Sequence, residues 1–144
     1  MGGTAAALRV LGGSIVAYNN TFHDNSGGAV AHLYPDTYSS FDHNVVTTNP
    51  VGDGLSASGV THACNLYYDM DGVEVTSGLA PDEIVEDPMY CDYTIGDFHL
   101  CYVSLALPEN NDCGKMGAFA MGCTECGPIA NEDQTWGEVK MLFD

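Results

Sequence analysis

Gly12-Gly-Ser-Ile-Val-Ala-Tyr-Asn-Asn-Thr-Phe-His-Asp-Asn-Ser-Gly-Gly-Ala-Val30 contains the unit from which the first half of this chain is built. A short apolar stretch runs into Asn20, an apolar side chain follows two residues later at Phe22, and a Gly-containing turn leads to another apolar run. The unit then returns. Asn20-Thr-Phe22, Asn44-Val-Val46 and Asn65-Leu-Tyr67 each follow an extended stretch, with the asparagines 24 and 21 residues apart. Asn25 and Asn49 recur five residues after the first asparagine, where the third unit has Met70. The second apolar runs are Gly28-Ala-Val-Ala-His-Leu33, Asp53-Gly-Leu-Ser-Ala57 and Val73-Glu-Val75. Repeats of this length, with short strands punctuated by Gly and Asn, predict stacked β units rather than an open sheet. Helix is disfavoured because residues 12–80 are rich in Gly, β-branched and Asn/Asp/Ser residues.

The repeated asparagine has a physical reason. It tolerates the left-handed backbone of a sharp corner, and its amide can hydrogen-bond the equivalent asparagine one turn away. Each turn of such a stack buries its inner face only against its neighbours. About three turns are expected, close to the minimum for stability. The first begins near Met1 without a polar cap, so Leu8, Val10, Leu11, Ile15 and Val16 would close an exposed end. Upstream turns of the same polypeptide, or self-association, are the expected ways of covering it.

With these rungs stands a second set of motifs: Asp87-Pro-Met-Tyr-Cys-Asp92, Gly96-Asp-Phe-His-Leu-Cys101, Leu107-Pro-Glu-Asn-Asn-Asp-Cys-Gly114, Met116-Gly-Ala-Phe119 and Gly122-Cys123. Over residues 10–127 the chain resembles the C-terminal part of secreted bacterial right-handed parallel β-helix repeat proteins, of the pectin-lyase-like superfamily. The resemblance implies an all-β, right-handed parallel β-helix of about three rungs over residues 1–80. A cysteine-bearing closing segment over 81–127 follows, then a linker and tail over 128–144. In the tail, Thr135-Trp-Gly-Glu138 is a capping-box pattern, and Trp136, Val139, Lys140 and Phe143 share one helical face. A short tail helix capping the solenoid is expected, with recognition by an export or attachment system as the alternative.

Composition narrows the partners. The 144 residues suit one domain, and three basic against twenty acidic residues give a net charge of −17. Nucleic acid and anionic membrane are excluded as direct partners, because both require Lys and Arg. No apolar run reaches the roughly 18 residues of a membrane span. Residues 1–68 carry only Asp24, Asp36, Asp42 and Asp53, whereas eleven acids lie between Asp69 and Asp112. That distribution keeps the last rung soluble and unpaired. Six cysteines in a loop-rich chain read as disulfides and an exported protein, secreted or on the cell surface, although the N-terminus lacks the pattern of a signal peptide. Six cysteines allow fifteen pairings. Local loop closure favours Cys91–Cys101, then Cys113–Cys123, leaving Cys64 and Cys126.

The family resemblance raises polysaccharide cleavage, which must be tested on the residues. A lyase needs a positioned Arg or Lys base, yet Arg9 lies at the open end and Lys115 and Lys140 outside the rungs. A hydrolase needs two carboxylates roughly 5–10 Å apart; Asp42 and Asp53 share one rung and Asp24 lies on another. The hydrolase signatures of the family are missing. Cys123-Thr-Glu-Cys126 could be a zinc half-site or a redox motif, but it has no second ligand pair and Gly127-Pro128 replaces the helix start. Asp69, Asp71 and Glu74 alternate beside Gly72 and suggest calcium without meeting the loop spacing. His23, His43 and His62 sit at different offsets from the rung asparagine, and His32 and His99 show no partners in sequence. Phe22 and Tyr67 are expected in the core, while other tyrosines could form a sugar-stacking platform. No residue is assigned a catalytic, cofactor-binding or metal role. The expected function is a non-catalytic solenoid segment, structural or glycan-contacting. The alternatives are a fragment of a polysaccharide lyase or glycoside hydrolase, and a calcium-stabilised extracellular module.

Overall fold

The computed structural model describes residues 7–25, 29–48, 54–69 and 78–126. These form a parallel β-solenoid of three turns with a fourth begun, and no α-helix occurs among them. The first turn comprises β1 (Leu8–Val10), β2 (Val16–Tyr18) and β3 (Thr21–Asn25). The second comprises β4 (Ala31–Leu33), β5 (Ser40–Asp42) and β6 (Val45–Thr48). The third comprises β7 (Leu55–Ala57), β8 (Thr61–Ala63) and β9 (Leu66–Asp69), and β10 (Ile84–Val85) opens the next. Equivalent strands pair in parallel, giving the sheets β1-β4-β7, β2-β5-β8 and β3-β6-β9-β10.

Alternation along each short strand sorts side chains in and out. Register stacks Val10 on Leu33, Ala17 on Phe41, and Phe22 on Val46 and Tyr67. These residues build the inner core, with Leu33, Phe41, Val46 and Tyr67 fully buried. Phe22 and Tyr67 thus occupy the expected core positions, Phe22 less completely at the first turn.

The asparagine ladder is present. Asn20 Nδ2 donates to Asn44 Oδ1, and Asn44 Nδ2 to Asn65 Oδ1, both at 3.1 Å. Each acceptor oxygen also receives the backbone N–H of the preceding ladder residue, at 2.9 and 2.8 Å. The left-handed corner, however, falls one residue earlier than expected, on Asn19, His43 and Cys64 (φ 56°, 57° and 54°). The ladder asparagine itself is freed to turn its amide along the stack.

The C-terminal segment contains the antiparallel pair β11 (Tyr90–Asp92) and β12 (Asp97–Cys101). They are joined by a 3₁₀ turn (Tyr93–Ile95) and a left-handed Gly96. β13 (Met121–Cys123) then pairs with β12 in parallel. This segment packs along the side of the solenoid rather than only over its end. Val45, Leu66 and Ile84, stacked on the outer face of the third sheet, form a second core with Tyr90, Leu100, Leu107 and Met116. Gly117 allows the approach: a Cβ there would lie 2.8 Å from Val45 Cγ2, and its N–H donates to the His43 carbonyl at 2.7 Å.

The cysteine pairing differs from the local expectation. The bridges are Cys64–Cys113, Cys91–Cys123 and Cys101–Cys126, closing spans of 49, 32 and 25 residues. Loop closure ranks short spans first, but strand pairing decides here. β13 returns beside β12 and carries Cys123 and Cys126 to Cys91 and Cys101. Docking of the segment on the solenoid brings Cys113 to the corner at Cys64. The expected tail helix over 128–144 lies outside the described residues.

Candidate functional site

The outer surface of the first two turns carries several exposed apolar and aromatic side chains. Register places Val16 and Tyr18 on the outside of β2, across from Ser40 and Asp42. The bend before β5 adds Tyr34 and Tyr38, held against the preceding turn by Asp36 and Thr37 N–H bonds to the Gly13 carbonyl. Val16 is 71% exposed, Tyr18 53%, Tyr34 41% and Tyr38 74%. Polar groups border the rings. Tyr34 Oη lies 3.2 Å from Ser56 Oγ, its ring packs on His32 at 4.7 Å, and Tyr18 packs on His43 at 4.7 Å. Flat aromatic faces beside carboxyl, hydroxyl and imidazole groups suit a ligand that is apolar on one face and hydroxylated at its edge. Sequence reasoning raised such a platform without selecting its members. The signal was the alternation in Val16-Ala-Tyr18, which turns Val16 and Tyr18 outward once Ala17 is inside.

A second constellation is buried at the far end of the ladder. Glu83, with its side chain only 1% exposed, takes the place of a fourth asparagine. Its Oε1 accepts from Asn65 Nδ2 at 2.7 Å and from Tyr67 Oη at 3.1 Å. Its Oε2 accepts from His62 Nδ1 at 2.9 Å and the Ala80 N–H at 2.8 Å. Burial, and then the neighbouring Glu83 charge, push the Tyr67 phenol far above its ordinary pKa, so it remains a donor. A carboxylate with four donors is satisfied and enclosed, which makes it a structural plug. Its role was not legible from the repeat, because the spacing contracts to 18 residues and the residue type changes.

The histidines acquire partners. His32 packs on Tyr34, and His99 Nδ1 lies 2.7 Å from Asp97 Oδ1, correcting the expectation that both lack partners. Hydrogen bonding to His99 lowers the pKa of the exposed Asp97 carboxyl. His43 Nε2 donates to the Cys113 carbonyl at 3.0 Å, tying the solenoid to the C-terminal segment. His23 lies 2.6 Å from Thr47 Oγ1 and is ringed by Tyr90, Tyr93 and Phe98. Desolvation there lowers its pKa, partly offset by Asp24.

Several candidates from the sequence are not brought together. Asp24 and Asp42 stand on different sheets, on β3 and β5, and Asp53 lies outside the described residues. Of the calcium candidates, Asp71 and Glu74 lie outside the described residues, and Asp69 ends β9. Cys123 and Cys126 are both consumed in disulfides, which removes the zinc and redox readings in this state. Cys64, Cys113 and Asp82 converge within 4.8 Å, but the two sulfurs bond each other and leave a single carboxylate. A shallow groove of about 480 Å³ on the C-terminal segment is lined by Tyr102, Leu107, Pro108, Lys115 and Met121, among others. Among the described residues no helix is long and apolar enough to cross a membrane.

Comparison with known proteins finds no matching family model, no matching curated protein and no matching solved structure. The parallel solenoid is therefore shown by the structure alone. The three disulfides in turn suggest an extracellular or otherwise oxidising environment.

Proposed function

We propose that this chain is a non-catalytic β-solenoid segment of an exported protein, secreted or held at the cell surface, that contacts glycans through the exposed tyrosines of its first two turns. The observation that carries the reading is the exposure of Tyr18, Tyr34 and Tyr38 with Val16 on the first two turns of the stack. Exposed aromatic clusters of this kind are disfavoured unless they meet a partner. The net charge of −17, with Asp36 and Asp42 on the same two turns, favours uncharged sugars over polyuronates.

Titration of the ¹H–¹³C aromatic spectrum with neutral and uronate oligosaccharides tests this. Neutral sugars should shift the Tyr18 and Tyr38 ring signals, and Tyr18→Ala with Tyr38→Ala should abolish binding while leaving the melting temperature within about 2 °C. Binding that survives the double substitution, or a preference for uronates, would overturn the reading.

A further inference from the structure

The two ends of the asparagine ladder are chemically different. At the C-terminal end, Glu83 accepts from Asn65 and offers no donor onward. At the N-terminal end, Asn20 donates into the stack through its N–H and Nδ2, while its Oδ1 receives no donor among the described residues. Asn44 and Asn65 both show what that oxygen accepts elsewhere: a backbone N–H and an amide Nδ2 from the turn before. Among the described residues the three strands of the first turn also present an unpaired edge, since alternate N–H and C=O groups of a parallel strand point to each side. Apolar packing agrees. Val10 and Phe22 remain partly exposed, whereas Leu33 and Val46, at the same positions one turn on, are fully buried.

We propose that the β1-β2-β3 end is a stacking surface for one more parallel solenoid turn, bearing an asparagine that donates its N–H and Nδ2 to Asn20 Oδ1. The turn would belong to the same polypeptide, ahead of these 144 residues. A turn takes about 24 residues, so it cannot come from the six that precede Ala7. A second copy fits poorly. Head-to-head contact would set one Asn20 oxygen against another, and head-to-tail contact would present the enclosed Glu83 plug.

Fusing a second copy of residues 25–48 directly ahead of Met1 places its asparagine 24 residues before Asn20, the spacing of Asn20 and Asn44. Amide exchange at Arg9 and Val16, whose N–H groups point to the open edge, should slow by about tenfold or more in this fusion when read by NMR, and the melting temperature should rise. The same fusion with Asn44→Asp in the added copy sets a carboxylate against Asn20 Oδ1 and should lose most of that protection. Equal protection in both fusions, or none in either, overturns the proposal. The unextended chain gives an independent readout should a fusion fail to fold. Its Arg9 and Val16 amides should exchange faster than His32 and Ser40 at every protein concentration. Protection that grows with concentration, together with dimer sedimentation, would assign the surface to a second copy and refute the proposal.

Discussion

Replacing Asn44 by alanine tests whether the ladder, rather than the apolar core alone, holds successive turns in register. Asn44 is fully buried and its side chain makes four hydrogen bonds. Its oxygen accepts the Asn20 N–H at 2.9 Å and Asn20 Nδ2 at 3.1 Å, and its Nδ2 donates to the Ala17 carbonyl at 3.0 Å and to Asn65 Oδ1 at 3.1 Å. Truncation leaves one backbone group without its partner, the Asn20 N–H, while the Ala17 C=O keeps the Asp42 N–H of the β2–β5 ladder. Asn65 Oδ1 keeps the Asn44 N–H, and Asn20 Nδ2 keeps the Tyr18 carbonyl. At about 1–3 kcal/mol for the orphaned N–H and about 1 kcal/mol for the lost bond to Asn65 Oδ1, the loss is about 3 kcal/mol, before any cavity cost. Asn20→Ala removes an exposed amide and strands no buried group, so it should cost under about 1 kcal/mol.

Urea unfolding followed by far-UV circular dichroism, with the disulfides intact, measures both changes as midpoint shifts at constant slope. Asn44→Asp sharpens the test, because it keeps the acceptor and removes the donor. At pH 7 the carboxylate would face the Ala17 carbonyl and Asn65 Oδ1, both acceptors. Its destabilisation should equal or exceed that of Asn44→Ala and ease below about pH 4, where the introduced acid can donate a proton. If Asn44→Ala costs no more than Asn20→Ala, or if the aspartate variant shows no acid recovery, the ladder does not carry the load assigned to it.

Two further outcomes follow from the same geometry. Substituting Ser for both Cys64 and Cys113 opens a span of 49 residues and should lower stability by about 4 kcal/mol on the chain-entropy account, read by thermal unfolding. Non-reducing peptide mapping should recover Cys64–Cys113, and a Cys91–Cys101 peptide would refute the pairing. Burial holds the His23 imidazole below its ordinary pKa, so the unfolded chain takes up the proton first as pH falls. The neutral histidine therefore contributes stability that declines on acidification below about pH 6.5. The stability of the native chain relative to His23→Gln should shrink between pH 7.5 and 5.5, and a constant difference would sink the argument.

Local chemistry made the solenoid legible. The intervals between Asn20, Asn44 and Asn65 identify the turns, and alternation around Phe22 and Tyr67 separates inside from outside. What escaped depends on contacts between segments distant in sequence. The left-handed corner falls on Asn19, His43 and Cys64, a set with no common chemistry, because the bond that fixes each corner is made by the next residue's amide. Glu83 was hidden because a carboxylate can end a donor chain as well as an amide can continue it. The disulfides escaped because proximity in sequence says nothing of a segment that folds back beside the turns. Among the possible site residues, the tyrosines were visible as a group. Their selection required the path of residues 34–39 around Gly13, which no periodicity encodes.

Hydrogen-bond direction gives the stack a polarity. The ladder runs from an unfilled acceptor at Asn20 to a carboxylate at Glu83 that accepts four donors. The eleven acids from Asp69 to Asp112 do not mark that end in space, because the segment that carries most of them packs along the side of the stack, with Tyr90, Tyr93 and Phe98 against His23 of the first turn. A turn approaching the Glu83 end would meet a saturated acceptor. A turn approaching the Asn20 end would meet a free acceptor, open strand edges and half-covered apolar side chains, so the ladder itself sets the direction in which the stack can be extended.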